Sequence, residues 1–516
     1  MYGDDVTLTT PPLATTREWI ATSVLILPAL LASMDLSVLF MGSPWISADL
    51  APTASQHLWI MDIYGFVMAG LLITMGSVGD RIGRRKLLLI GAVAFGTASA
   101  LAAFASSAEM LIAARALLGL GGATLAPSTL SLIRGMFHDE NQRRTAVGIW
   151  TGAFTGGVAI GPIIGGLLLE HFHWGSVFLI NIPVMALLLI VAPLVIREAR
   201  DPHPGRFDLL GAALSLAAIL PLVYGIKKTA EDGAGWASVA AIVVGAIFAA
   251  LFVVRQRTTP SPMIDVHLFA RPAFSGSIIA NAIVVFATAG MGLLSVTFMQ
   301  TVLGFAPLAA ALWMLPTVAG SFLGVAIASL LARTVRPALL VSTGLLVAAV
   351  GFAGVSLVTP DSHVGLLIVA YSTLTLGVGM TATMVTSLVL TTAPPEKAGA
   401  ASALAETSSE FGGALGIATL GTLAGTIYRG AMTANPVPGA ENAAEAAGDT
   451  VGAAVAAAQE LPAEVADLLL RQAFDAYTHG LSVAAVVGAA VLALAAVCAG
   501  LALRTVTTPQ STSTEE

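Results

Sequence analysis

Charge is what this sequence lacks. Only 10% of its 516 residues are charged, while 56% are apolar and the mean hydropathy is +0.88. A soluble chain carries about 25% charged residues. A shortfall this deep leaves too little polar surface to wet a chain of this length, so most of that surface must face lipid. The net charge of −7 therefore carries no message about nucleic-acid partners. Cysteine occurs once, as Cys498 in an apolar run, which excludes an intrachain disulfide and a cysteine metal site. No Gly-Lys-Ser/Thr phosphate loop, no histidine pair at helical metal spacing and no nucleophile motif is present. His171 and His173 read as solvated residues at an outer turn. Residues 1–17 are polar, and the apolar run that follows is too long for a cleavable signal and lacks a small-residue cleavage site.

What is there is a succession of long apolar runs. A span needs roughly 20 apolar residues at about 1.5 Å each. Fourteen are expected, near residues 20–42, 58–78, 87–105, 108–131, 145–169, 176–195, 208–228, 236–254, 273–301, 307–332, 338–358, 364–391, 399–428 and 477–503. With the N-terminus placed in the cytoplasm, Lys227, Lys228, Arg429 and Arg471 fall outside and Arg115 falls within a span. The remaining eighteen of the 23 basic residues fall inside. Such an excess is the usual mark of cytoplasmic loops, and it favours an even number of spans. The division expected is a tail at 1–19, a bundle over 20–195, a pair of spans over 208–254, a second bundle over 273–503 and a cytoplasmic tail at 504–516. An Ala-rich excursion at about 430–475 is expected outside the membrane, with room for one or two amphipathic helices.

Three stretches carry chemistry. After the second span comes Gly76-Ser-Val-Gly-Asp80-Arg81-Ile-Gly83-Arg84-Arg85-Lys86. Its glycines allow a tight turn and close approach of helix ends, and Asp80 among the basic residues can latch a neighbouring helix end by charge-assisted bonds. The plainer reading is that the basic cluster only sets topology. The fourth span holds Arg115, whose burial in lipid costs several kcal/mol, about 2.5 or more, unless it is paired or hydrated. Arg115 and Asp35 each lie about seven residues from the outer end of their spans, ~10 Å deep, so they are expected to face one cavity as a pair. The fifth span reads Gly152-Ala-Phe-Thr-Gly156-Gly157-Val-Ala-Ile-Gly161-Pro162-Ile-Ile-Gly165-Gly166. Small residues four apart make a groove for another helix, and Pro162 introduces a kink.

Three more acids stand out. Asp62, about one turn inside the outer end of span two, either lines the outer vestibule or reaches interfacial water. Glu406 and Glu410 are one turn apart on one face of span thirteen. Two carboxylates on one membrane face repel, which suits a carrier of protons. The alternative is a helix end that is simply wet.

Together these stretches resemble the fourteen-span drug:proton antiporter family of the major facilitator superfamily, over nearly the whole chain. The carrying residues are Leu58–Tyr64, Gly76–Lys86, Arg115–Ala123, Phe154–Gly166 and Trp174-Gly-Ser-Val-Phe178-Leu-Ile-Asn181-Ile-Pro183. The second half departs more: Ala332-Arg333-Thr334-Val335-Arg336-Pro337 lacks the glycines and the acid of the signature loop. Ser321 stands where some relatives carry an acid. The resemblance implies an all-α integral membrane fold, two six-helix bundles plus two inserted helices, with a substrate site between the bundles near the midplane. It implies proton-coupled export of lipophilic, cationic drugs or dyes by alternating access. Asp35, Arg115, Glu406, Glu410 and Asp62 would form the proton and substrate site. Gly76, Asp80, Arg81, Gly83, Arg84 and Arg85 would gate, and Gly157, Gly161, Pro162, Gly165 and Gly166 would form the antiporter helix motif. No metal or cofactor is expected beyond protons as coupling ion. The protein is expected as a monomer in a bacterial inner membrane, both termini cytoplasmic. The competing expectations are a narrow exporter of one antibiotic, a proton-coupled metabolite carrier, and a membrane enzyme or sensor.

Overall fold

The computed structural model describes residues 13–137, 139–199, 208–232, 235–259, 266–332, 334–392, 398–440 and 443–504. Arg200, Arg206, Arg333 and Lys397, used above to orient the chain, lie outside them, as do the side chains of Asp80, Arg144 and Lys227.

The first half starts its helices with side-chain caps. Thr15 and Glu18 form a reciprocal capping box at α1 (Thr16–Leu50), and Thr53 and Gln56 do the same at α2 (Ala54–Ile82). Gly83 separates α2 from α3 (Arg84–Ala103). Ser107 caps α4 (Ala108–Met136), and Asp139 caps α5 (Glu140–His171). Then follows α6 (Ser176–Val195). Asp208 accepts from the Gly211 amide at 2.9 Å to start α7 (Leu209–Asp232), which folds back on α8 (Trp236–Thr258). The second half uses proline instead. Pro272, Pro307 and Pro337 stand in the first turns of α9 (Pro272–Val302), α10 (Pro307–Leu331, broken at Met314) and α11 (Pro337–Val355), where the missing N–H breaks no helical bond. α12 (Val364–Thr392), α13 (Ala398–Ala434), two short helices α14 (Ala444–Asp449) and α15 (Val451–Ala458), and α16 (Ala463–Ala502) complete the chain.

Eleven of these helices are long and apolar enough to cross a membrane. The other three expected spans coincide with α2, α5 and α7, helices of 29, 32 and 24 residues. Around the expected excursion, α13 runs on to Ala434 and α16 begins at Ala463, so both helices extend past the apolar runs read as spans. Glu464, Asp467 and Arg471 lower the hydropathy there without stopping an Ala- and Leu-rich helix.

Two hydrophobic cores organise the fold. One is built from α1–α6 and takes in Ala289, Leu293, Val296, Ala311 and Ile417 from the second half. The other is built from α9–α13, α16 and the α14–α15 segment. The helix bundles meet where α2 packs on α13, α5 on α10 and α1 on α9. Leu58 sits against Gly421, Phe40 against Gly292 and Gln300 against Met41. The α7–α8 hairpin lies beside the α2–α13 seam. The Ser215 hydroxyl donates to the Gly70 carbonyl at 3.2 Å, and Ile219 and Leu220 pack on a cluster of Phe66, Ala414 and Ala418.

Candidate functional site: a buried ion pair facing acids across the bundle interface

Arg115 is fully buried in α4 and bonds Asp35 of α1 through Nη1, with side-chain exposures of 0% and 3%. Its Nε donates to the Ile60 carbonyl at 3.0 Å and its Nη2 to the Met61 carbonyl at 3.3 Å. The guanidinium carbon lies 5.0 Å from the centre of the Tyr64 ring. One arginine thus ties α1, α2 and α4 together. A buried charge is tolerable only when paired and hydrogen-bonded, and this one is both. The pairing expected from matched depth is present.

The glycine run of α5 explains why α1 lies where it does. A Cβ added at Gly157 would strike Ser33 and the Leu30 carbonyl, and one at Gly161 would meet Ser37 and lie 3.3 Å from Met34 Cα. At Gly165 it would lie 3.1 Å from Val38 Cγ1. These three glycines bracket Asp35 along α1, so the groove holds the acid's helix against α5. Gly166 instead faces α10, its absent Cβ 2.7 Å from Leu308 Cα. Pro162 lies inside α5 without interrupting it.

At the signature loop a latch is made by Glu198; the side chain of Asp80, the acid named from sequence, lies outside the described residues. Glu198, just beyond α6, accepts from the backbone amides of Arg85 at 2.9 Å and Lys86 at 3.2 Å, capping α3. The Arg85 side chain returns to the Ile196 carbonyl at 2.9 Å. Arg17 adds bonds to the carbonyls of Val195 at 3.0 Å and Leu194 at 3.1 Å. Gly83 has φ +111°, and a Cβ there would also overlap the Glu198 carboxylate. Among the described residues nothing lies within 4 Å of the place a Gly76 Cβ would take, so no close approach is seen at that glycine. Arg81 and Arg84 stand at the same helix ends, with Arg84 Cδ 3.0 Å from the place a Gly79 Cβ would take. Gly83→Ala should cost about 1–3 kcal/mol, the range for a non-glycine residue held in such backbone. Thermal unfolding of the purified protein in detergent would show it as a lowered midpoint.

Asp62 is 1% exposed, so in this structure it opens neither to interfacial water nor to an outer vestibule. Glu406 and Glu410 are half-buried on α13. Asn281 of α9 fixes that helix by donating to the Ala405 carbonyl at 3.0 Å and the Ser409 hydroxyl at 2.7 Å. A Cβ at Gly65 of α2 would lie 3.9 Å from Glu410 Oε2. The Glu410 carboxylate thus lies against α2, within electrostatic reach of Asp35. Tyr64, next to Gly65 on α2, sets its ring against the Arg115 guanidinium. Sequence reading passed over Glu198 and Asn281. A lone acid after a span and a lone amide within one give no local pattern; only the tertiary contacts identify them.

Two helical bundles with ionisable groups buried at their interface define a multi-pass membrane carrier. The chain belongs to the Major Facilitator Superfamily, whose family model matches residues 25–417. It is 44% identical over 490 residues to the multidrug efflux pump LfrA of Mycolicibacterium smegmatis, covering 95% of this chain and 97% of that one. It is 34% identical over 484 residues to the methyl viologen resistance protein SmvA of Salmonella typhimurium, covering 93% and 97%. It is 30% identical over 492 residues to the tetracenomycin C resistance and export protein of Streptomyces glaucescens, covering 94% and 91%. Its fold matches a bacterial homologue of the lysosomal transporter Spinster, crystallised inward-facing and unoccupied, with a TM-score of 0.68 at 19% identity over 96% of this chain and 98% of that one.

Proposed function

We propose that this chain is a proton-coupled antiporter that exports lipophilic, cationic drugs or dyes by alternating access. The observation carrying the reading is the buried Asp35–Arg115 pair, with Glu410 of the other bundle within its electrostatic reach. Protonating the acids changes which charges need partners, and an organic cation competes with protons for the same carboxylates. The names of the relatives support export of drugs, and methyl viologen is itself a cation. The reading includes fourteen spans, both termini cytoplasmic, a bacterial inner membrane and a monomer. In it, Gly83 and Arg85 hold the cytoplasmic ends of α2, α3 and α6 together. Gly76, Asp80, Arg81 and Arg84 share that gating loop, and Gly157, Gly161, Pro162, Gly165 and Gly166 set the packing of α5.

Exchange of one proton for a monovalent cation is electrically silent. Each further proton moving through ~100 mV adds ~2.3 kcal/mol, roughly a fiftyfold gradient. Acids on both bundles suit more than one proton per cycle.

Everted membrane vesicles carrying a pH gradient test the proposal. Ethidium should accumulate, accumulation should collapse with an uncoupler, and Glu406→Gln should slow it about a hundredfold or more, as loss of a proton-transfer group does. Ethidium accumulation that survives the uncoupler would contradict proton coupling. The kinship with a tetracenomycin C exporter favours a second reading, a narrow antibiotic exporter. A panel in which one antibiotic moves and every lipophilic cation stays would establish it.

A further inference from the structure

Asp35 has one oxygen occupied by Arg115 and, among the described residues, no partner for the other. Beside it lies a cavity of about 10 Å³ between α1 and α6. That is the room of about one water-sized sphere. Its walls are apolar (Leu31, Met34, Val38, Val177, Phe178) except for Asp35 and Asn181. Asn181 is 4% exposed. Its Nδ2 donates to the Ser99 hydroxyl at 3.0 Å, and among the described residues it makes no other hydrogen bond. A carboxamide has two N–H donors and two acceptor lone pairs, so most of its capacity is unused. Two buried polar side chains with spare capacity, facing one space of that size, are the setting in which proteins hold an ordered water.

From this juxtaposition we infer that Asn181 holds a water against Asp35, and that this water is the last donor of the proton Asp35 receives. The inference rests on the antiport reading above. The step balances simply. A hydronium arriving at the cavity gives a proton to the bridging water as that water gives one to the free Asp35 oxygen, so one proton is delivered, the bridging water is restored and the hydronium leaves as water. Asn181 is neutral across the working range, so it orients the water without competing for the proton. The other titratable groups are Arg115 of α4, Tyr64 and Asp62 of α2, and Glu406 and Glu410 of α13. None of them lines this cavity. The role makes Asn181 a positioning residue, and it gives a task to a side chain that sequence comparison singled out without explaining.

Two transport modes separate this role from simple packing. Gradient-driven export requires Asp35 to load and unload protons, whereas exchange of labelled for unlabelled ethidium without a gradient requires only that the loaded carrier turn over. In reconstituted vesicles, Asn181→Leu should slow gradient-driven export about tenfold or more, less than the roughly hundredfold or greater contribution of a group that itself transfers the proton. Exchange should stay within about twofold, a difference too small to signal a disturbed barrier. Asn181→Ser, which keeps a polar group at the cavity wall, should recover part of the loss. Leu31→Phe fills the same space from α1 with Asn181 intact and should show the same split, which guards against a poorly folded Asn181 variant. Equal loss in both modes for both variants, or no loss in either mode, would overturn the inference. Wild-type protein that exports without moving protons would overturn the antiport reading and this inference with it.

Discussion

Arg115→Ala should abolish gradient-driven export and sharply lower the yield of folded protein. The guanidinium bonds Asp35 and the carbonyls of Ile60 and Met61 at once. Its removal leaves a carboxylate buried without its charge partner, a change worth about 3–5 kcal/mol when one member of a buried pair is lost. The truncation also opens a void where α1, α2 and α4 meet. Asp35→Asn should be gentler on folding, because the amide can still accept from Arg115, yet export should fall about a hundredfold, which corresponds to ~2.7 kcal/mol. Exchanging the two residues is the sharper test. A swapped pair that folds but does not transport would separate the structural work of the ion pair from the proton work of Asp35 at its native position.

Gly161→Leu should be nearly as damaging, by a different route. The absent Cβ already lies 3.3 Å from Met34 Cα and carbonyl oxygen, so an isobutyl group must push α1 away from α5. Overpacking of this kind costs about 1–3 kcal/mol and displaces backbone. The displaced segment carries Asp35, one residue from Met34 and two from Ser37, and the Asp35–Arg115 contact moves with it. Export should fall by at least about tenfold while the protein remains in the membrane, since a shift of ~1 Å away from the reacting geometry suffices for such losses. Gly152→Ala is the control. Among the described residues nothing lies within 4 Å of its Cβ, and replacing a helical glycine stabilises by up to about 1 kcal/mol. Export rates and membrane abundance of the two variants, measured side by side, check the contrast.

Much of this was legible in the sequence because the bilayer makes certain residues expensive. An arginine in an apolar run announces a partner, and Asp35 at matching depth was the natural one. The groove glycines were legible for the same kind of reason: small residues four apart have one common use between membrane helices. Which helix fills the groove was not legible, and the answer, α1, links the motif to the acid. A latch at the signature loop was expected from charge, but the contribution of Glu198, from beyond α6 and 113 residues from Arg85, was not. Long-range pairings of this kind leave no spacing to read. The ends of α13 and α16 were not legible, because hydropathy reports where water begins, whereas helix propensity decides where a helix stops.

The central claim is that protons and substrate share the buried acids. Adding ethidium to the purified protein in unbuffered detergent tests it directly. The account predicts that binding releases protons, and that Asp35→Asn, Glu406→Gln or Glu410→Gln each lowers the number released per ethidium bound. Ethidium binding with no release of protons, or an undiminished release when all three acids are neutralised together, would contradict it.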